Sequence, residues 1–154
     1  MTASARPSAG SIVLGLASGG RSVAGLAAVS TSPAGPSATG LAGSLVGRRG
    51  RQVLPLLLLG ELVADKLPGT PSRLKPPALA VRAVTGAVSS YALARRQRVP
   101  GALPALAGAA AAVLGSALGF RWRAVAAHRG WPELVAALAE DAVVLGAAGA
   151  VVRS

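Results

Sequence analysis

From Val99 to Phe120 the chain reads V-P-G-A-L-P-A-L-A-G-A-A-A-A-V-L-G-S-A-L-G-F, without one charged residue. A helix needs about 20 predominantly apolar residues to cross the hydrocarbon of a bilayer, and this run supplies them. Four other stretches follow the pattern less cleanly. Leu134 to Val152 is interrupted only by Glu140 and Asp141, and Pro77 to Leu93 carries Arg82. Gln52 to Leu67 is short and carries Glu61 and Asp65, and Ser11 to Val29 carries Arg21 near its middle. The expectation is an all-α membrane protein with about five transmembrane helices, at 11–29, 52–67, 77–93, 99–120 and 134–152, in a single integral membrane domain over 1–154. The first stretch has a rival reading as a signal peptide, with Arg6 as its charged region and Ser11 to Ser18 as its apolar core. Two serines and a glycine in that core, and Arg21 soon after it, favour a retained helix.

The 154 residues are 52% hydrophobic yet only 3% aromatic and 14% charged. Small apolar residues fill a soluble core poorly but let membrane helices approach closely. The same hydrophobicity excludes a disordered basic tail, despite a formal net charge of +11. Ser, Pro and Gly crowd Thr31 to Gly47, and prolines mark Leu67 to Pro71, Pro76-Pro77, Pro100 and Pro132, as loop punctuation does. Trp122 and Trp131 stand at the ends of apolar runs, where the headgroup level suits them.

Several chemistries are excluded by count. There is no Cys, so no disulfide, thiol nucleophile or thiolate metal site. His128 is the only histidine, and it stands in a connection beside Arg129. Neither phosphate-cradling glycine loop occurs, nor a G-x-S-x-G nucleophile elbow. No enzyme, cofactor, metal site or catalytic residue is expected, and no nucleic-acid partner, because the arginine clusters lack a polar, aromatic-bearing surface around them.

Val13 to Arg21 and Val113 to Arg121 both read V-L-G-x-A-x-G-x-R. Gly15 and Gly19, with Gly115 and Gly119, are expected to serve helix packing. With five spans, the first and fourth would run in opposite directions. The copies would then form an inverted repeat around the third span, as in secondary transporters.

The charges inside the apolar segments carry the functional expectation. An ionised group at the bilayer centre costs about 2.5–3.5 kcal/mol on insertion scales, so it faces a partner or water. Arg21, Arg82 and Arg121 stand against Glu61, Asp65, Glu140 and Asp141 as an intramembrane charge cluster, while the other thirteen basic residues flank the segments against Glu133 alone. Those flanks can meet the anionic headgroups of a lipid bilayer. Glu61 and Asp65 share a helix face, whereas Glu140 and Asp141 diverge by about 100° and cannot both reach one partner. The simplest pairing joins Arg21 to Glu61 or Asp65, and Arg121 or Arg82 to Glu140 or Asp141. Five spans would put the clusters at Arg48 to Arg51 and at Arg95 to Arg98 on one side with Arg153. Seven basic residues would then face six, which is no bias; the tighter clusters favour their own side as cytoplasmic.

The G-x-R-S at Gly19 to Ser22, the E-x-x-x-D-K-x-P at Glu61 to Pro68, the R-x-x-x-G-A at Arg82 to Ala87 and the late Glu140-Asp141 together resemble a family of small bacterial multi-pass membrane proteins. It is catalogued as domain of unknown function 4126. The resemblance covers about Gly15 to Val152. Its recurring positions map onto Gly19, Arg21, Ser22, Glu61, Asp65, Lys66, Pro68, Arg82, Gly86, Glu140 and Asp141. It implies an integral membrane protein and lends no activity.

Two functions stay open on the sequence. One is a small transporter or channel-like protein of the plasma membrane, carrying an unidentified ion or small solute past the charge cluster. The other is a structural or accessory membrane protein, homo-oligomeric or not, whose buried ion pairs serve helix packing and partner recognition.

Overall fold

The computed structural model describes residues 8–31, 43, 47–64 and 75–153. Among them are six α-helices and no strand: α1 (Ala9–Gly20), α2 (Ala24–Thr31), α3 (Arg48–Ala64), α4 (Pro76–Arg96), α5 (Ala102–His128) and α6 (Glu133–Arg153). The starts and stops follow local chemistry. Ser8 caps α1, its hydroxyl accepting from the Ser11 N–H at 3.3 Å. Prolines open α4, where a missing N–H costs nothing. At the far end of α4, Val99 N donates to Ala94 O at 3.0 Å and Arg98 N to Arg95 O at 3.3 Å, a Schellman closure with Arg98 at φ 58. Gly130, at φ +72, turns the chain between α5 and α6.

The first apolar stretch is not a span. Arg21 adopts extended backbone, φ −137 and ψ 118, and the helix stops. A Cβ on Gly25 would lie 2.9 Å from Leu14 O and against the Ser18 hydroxyl. A coaxial continuation would put those residues about 16 Å apart, so α2 folds back along α1. The two form a helical hairpin, with its tip at Arg21 to Val23.

Neighbouring contacts order the rest. Along α1, Gly10 meets Leu93 and Val151, Ser11 meets Ser90, and Gly20 meets Val144. Helices α4 and α6 are therefore antiparallel to α1. Against α5, Gly15 meets Gly108 and Ala111, while Gly19 meets Ala112 and Ser116, so α1 and α5 run parallel. Glycine is required at this seam because a Cβ on Gly15 would stand 2.5 Å from Gly108 O. All of α3, α4, α5 and α6 run the length of the bundle, and the hairpin enters from one end only.

These placements correct two expectations. The two V-L-G-x-A-x-G-x-R copies run in the same direction, so they are no inverted repeat around the third segment; the reversal inside the first stretch removes the parity on which that reading stood. Among the described residues only α5 and α6 are long and apolar enough to cross a membrane, not five helices. The stretch 11–29 is split, α3 has 17 residues with Pro55 inside it, and α4 is diluted by Arg82 and by hydroxyl residues such as Ser89 and Ser90. Two such helices point weakly toward a membrane protein.

The core is built of small and polar residues. Ala17, Ala24, Ala92, Ala112 and Ala148 are buried with Leu14 and Val29, and so are Ser11, Ser18, Ser89, Ser90 and Ser116. Arg21 is 1% exposed, while Leu56, Leu106 and Val143 are 66%, 68% and 71% exposed. That is the reverse of the usual order in water, where large aliphatic side chains go inside and charges outside.

Candidate functional site

The hairpin tip leaves two helix ends inside the bundle, the C-terminus of α1 and the N-terminus of α2. Each carries orphan backbone groups and about half an elementary charge of helix dipole. Both are met by side chains from other helices. Arg82 of α4 donates from Nη1 to Gly19 O and, at 3.0 Å, to Gly20 O. Ser116 of α5 donates to the same Gly19 O at 3.1 Å. Glu61 of α3 accepts from Ser22 N at 2.7 Å and from the Ser22 hydroxyl through Oε1, and from Val23 N at 3.1 Å through Oε2. A cation thus sits at the negative end of α1 and a carboxylate at the positive end of α2. The two face each other, Arg82 Nη2 being 3.6 Å from Glu61 Oε1.

Arg21, at the tip itself, turns to α6. Its Nε donates to Asp141 Oδ1 at 2.7 Å, and Nη2 reaches the same oxygen. Glu140, the residue before it, accepts from Arg123 Nε at 3.1 Å. Arg123 also lies 3.9 Å from the exposed Glu133. Beside this pair Trp122 donates from its indole to Ala136 O at 3.0 Å and stacks edge-on against Trp131, with ring centroids 5.7 Å apart. Those contacts tie α5 to α6 where the two helices are joined by a short turn.

Of the seven charges expected to cluster, Arg21, Glu61, Arg82, Glu140 and Asp141 line one layer of the bundle. Arg82 lies about 9 Å from the start of α4 and Asp141 about 12 Å from the start of α6, at 1.5 Å rise per residue. Arg121 is exposed on α5 and stands apart from the layer, its place beside Glu140 taken by Arg123. Asp65, with Lys66 and Pro68, lies outside the described residues. The pairing shown is crossed relative to expectation: Arg21 meets Asp141, and Arg82 meets Glu61. The hairpin is the reason, because folding back presents the α2 N-terminus to Glu61 and leaves the Arg21 side chain facing α6. Sequence reading missed Arg123 and Ser116. The only signal for Ser116 was a hydroxyl in the charge-free stretch from Val99 to Phe120.

Of the expected packing glycines, Gly15, Gly19 and Gly115 sit in the α1–α5 seam, Gly115 directly over the Leu16 backbone. Gly115 and Gly119 line an apolar cavity of about 440 Å³ between α1, α5 and α6. Val13, Leu16, Leu118, Val143 and Val144 supply its apolar walls, and Gly20 and Glu140 bring it to the hairpin tip. Gly86 and Gly108 form a second close seam, between α4 and α5, where a Cβ on Gly86 would stand 2.6 Å from Gly108 O. Among the described residues no three acidic or imidazole side chains gather as a metal site.

Compared with protein-family models, curated proteins and solved structures, the chain matches none of them.

Proposed function

We propose that this chain is a multi-pass protein of the plasma membrane, a small transporter or channel-like protein in which the α1–α2 hairpin is the permeation element. In this reading α5 and α6 cross the bilayer, α3 and α4 pack beside them at membrane depth, and the hairpin is re-entrant. The observation that carries it is the cavity beside the tip, which joins an apolar volume to the C-terminal end of α1 at Gly20 and to the Glu140 carboxylate. Broken helices ending inside a bundle are where transporters hold ions and charged solutes, the half-helix ends supplying the charge. Here Arg82 and Glu61 occupy those ends, as a cation and an anion would. They hold the hairpin closed, and a permeating ion passes by displacing one of them.

Outward Leu and Val, inward Ala, Gly, Ser and paired charges support the membrane setting, since lipid solvates the first group and charge partners satisfy the second. Orientation follows from the hairpin. Arg49, Arg51, Arg95, Arg96, Arg98 and Arg153 gather at the end where the hairpin enters, and the opposite end of the described chain carries Lys75, Arg121, Arg123 and Arg129 with Glu133. The arginine-rich end is cytoplasmic by the positive-inside rule. Among the positions that resemble the domain of unknown function 4126, Gly19, Arg21, Ser22, Glu61, Arg82, Glu140 and Asp141 meet at or beside the tip.

The test uses the absence of native cysteine. Cysteine is introduced singly at Ser22, Leu118 and Val144, in cells, and probed with a membrane-impermeant thiol reagent. Labelling at Ser22 and at the cavity positions is the expected outcome. Protection of all three would favour the alternative, a structural or accessory protein whose fully partnered charges pin the hairpin and nothing more.

A further inference from the structure

The end of the bundle at which the hairpin enters carries charge of one sign. Arg49 and Arg51 lie in the first turn of α3, Arg95 and Arg96 close α4, Arg98 follows, and Arg153 ends α6. Among the described residues none of these six is paired with a carboxylate, and the carboxylates Glu61, Glu133, Glu140 and Asp141 all lie toward the other end. Six like charges gathered without counter-ions repel one another unless an anion joins them.

Arg96 is the focus. Its Nη1 is buried and has no hydrogen-bond partner. A guanidinium carries five N–H donors and no acceptor, so a neighbouring arginine cannot satisfy it. Burial, and then the charge of nearby Arg51, push the Arg96 pKa below its ordinary value. Both causes are reversed by an anion placed between the two side chains. Arg98 adds to the case. It occupies the left-handed position of the Schellman closure, where glycine is the usual residue and a side chain is penalised. A side chain kept there against backbone preference keeps its charge beside Arg95 and Arg96. Guanidinium forks match phosphate oxygens in geometry, and paired N–H···O bonds to phosphate are among the stronger hydrogen bonds.

We infer that Arg51 and Arg96, flanked by Arg95 and Arg98, form a phosphate-binding site whose occupant is the headgroup phosphate of an anionic lipid. The inference rests on the membrane reading above, which puts these helix ends at headgroup level. Free phosphate has the same chemistry and is separated from lipid by the test.

The full chain is purified in a neutral detergent, and its thermal unfolding midpoint is titrated with phosphatidylglycerol, phosphatidylcholine or inorganic phosphate. Phosphatidylglycerol raises the midpoint of the native chain, and phosphatidylcholine does not. Arg51→Gln and Arg96→Gln each weaken the phosphatidylglycerol response about fivefold, the effect of one arginine near an anionic surface. Arg129→Gln, at the opposite end, leaves it unchanged. Arg51 is exposed, so its variant keeps the test valid if Arg96→Gln misfolds. An equal response to phosphatidylcholine, or an undiminished response in Arg51→Gln, overturns the site. A response to inorganic phosphate matching that to phosphatidylglycerol overturns the lipid assignment. Release of the chain from membranes by alkaline washing overturns the membrane reading instead, and is scored separately.

Discussion

The buried charges at the tip are held by partners from distant helices, and the consequences of removing one differ. Replacing Asp141 with Asn takes from Arg21, which is 1% exposed, the carboxylate that its Nε and Nη2 meet. Breaking a buried pair from one side costs about 3–5 kcal/mol. Thermal unfolding of Asp141→Asn in detergent is therefore expected at a much lower midpoint. Replacing both partners, as Arg21→Met with Asp141→Leu, is expected to recover most of that loss, because an apolar pair of similar volume removes both desolvation penalties. No recovery in the double variant would show that Arg21 holds the tip through contacts other than Asp141. Glu61→Gln is milder in stability, since an amide oxygen still accepts from Ser22. It loses the acceptor for Val23 N–H and the attraction to Arg82 and to the α2 dipole, the last about 1 kcal/mol for a partly buried site. The charged residues themselves were readable in the sequence, because ionisable groups in apolar segments stand out. Their pairing was not, because it depends on where the hairpin folds back.

At the level of helices, the glycines sort into two kinds that composition cannot distinguish. Gly60 and Gly146 have open space where a Cβ would stand, whereas Gly15 and Gly108 lie against backbone of a neighbouring helix. Gly60→Ala and Gly146→Ala are expected to raise stability by about 0.5–1 kcal/mol through helix propensity. Gly108→Ala is expected to lower it, since the α4–α5 seam has to open; helix content and unfolding midpoint, read by circular dichroism, check all three. The shared V-L-G-x-A-x-G-x-R was a correct sign that Gly15, Gly19 and Gly115 do similar work, and an incorrect sign of inversion. Periodic glycines specify a close approach, not the relative direction of the helices that approach.

Across the whole molecule, the hairpin sets the topology. With a re-entrant hairpin, the start of α1 and the end of α6 share a side; with five spans they would not. Cysteines at Ser8 and Arg153 are therefore expected to react with an impermeant reagent on the same face of the membrane, and a cysteine at Gly130 on the other. Labelling of Ser8 and Arg153 from opposite faces would return the first stretch to a span.

Helix content, the apolar segments, their ends and the presence of misplaced charges were determined by the sequence alone, because hydropathy, proline and glycine act locally along the chain. The hairpin, the parallel α1–α5 seam, the crossed ion pairs and the cavity at the tip were decided only by the tertiary structure. Their cause is not local. An extended Arg21 is tolerable only where Arg82 and Glu61, brought from distant helices, satisfy the backbone groups that the break exposes.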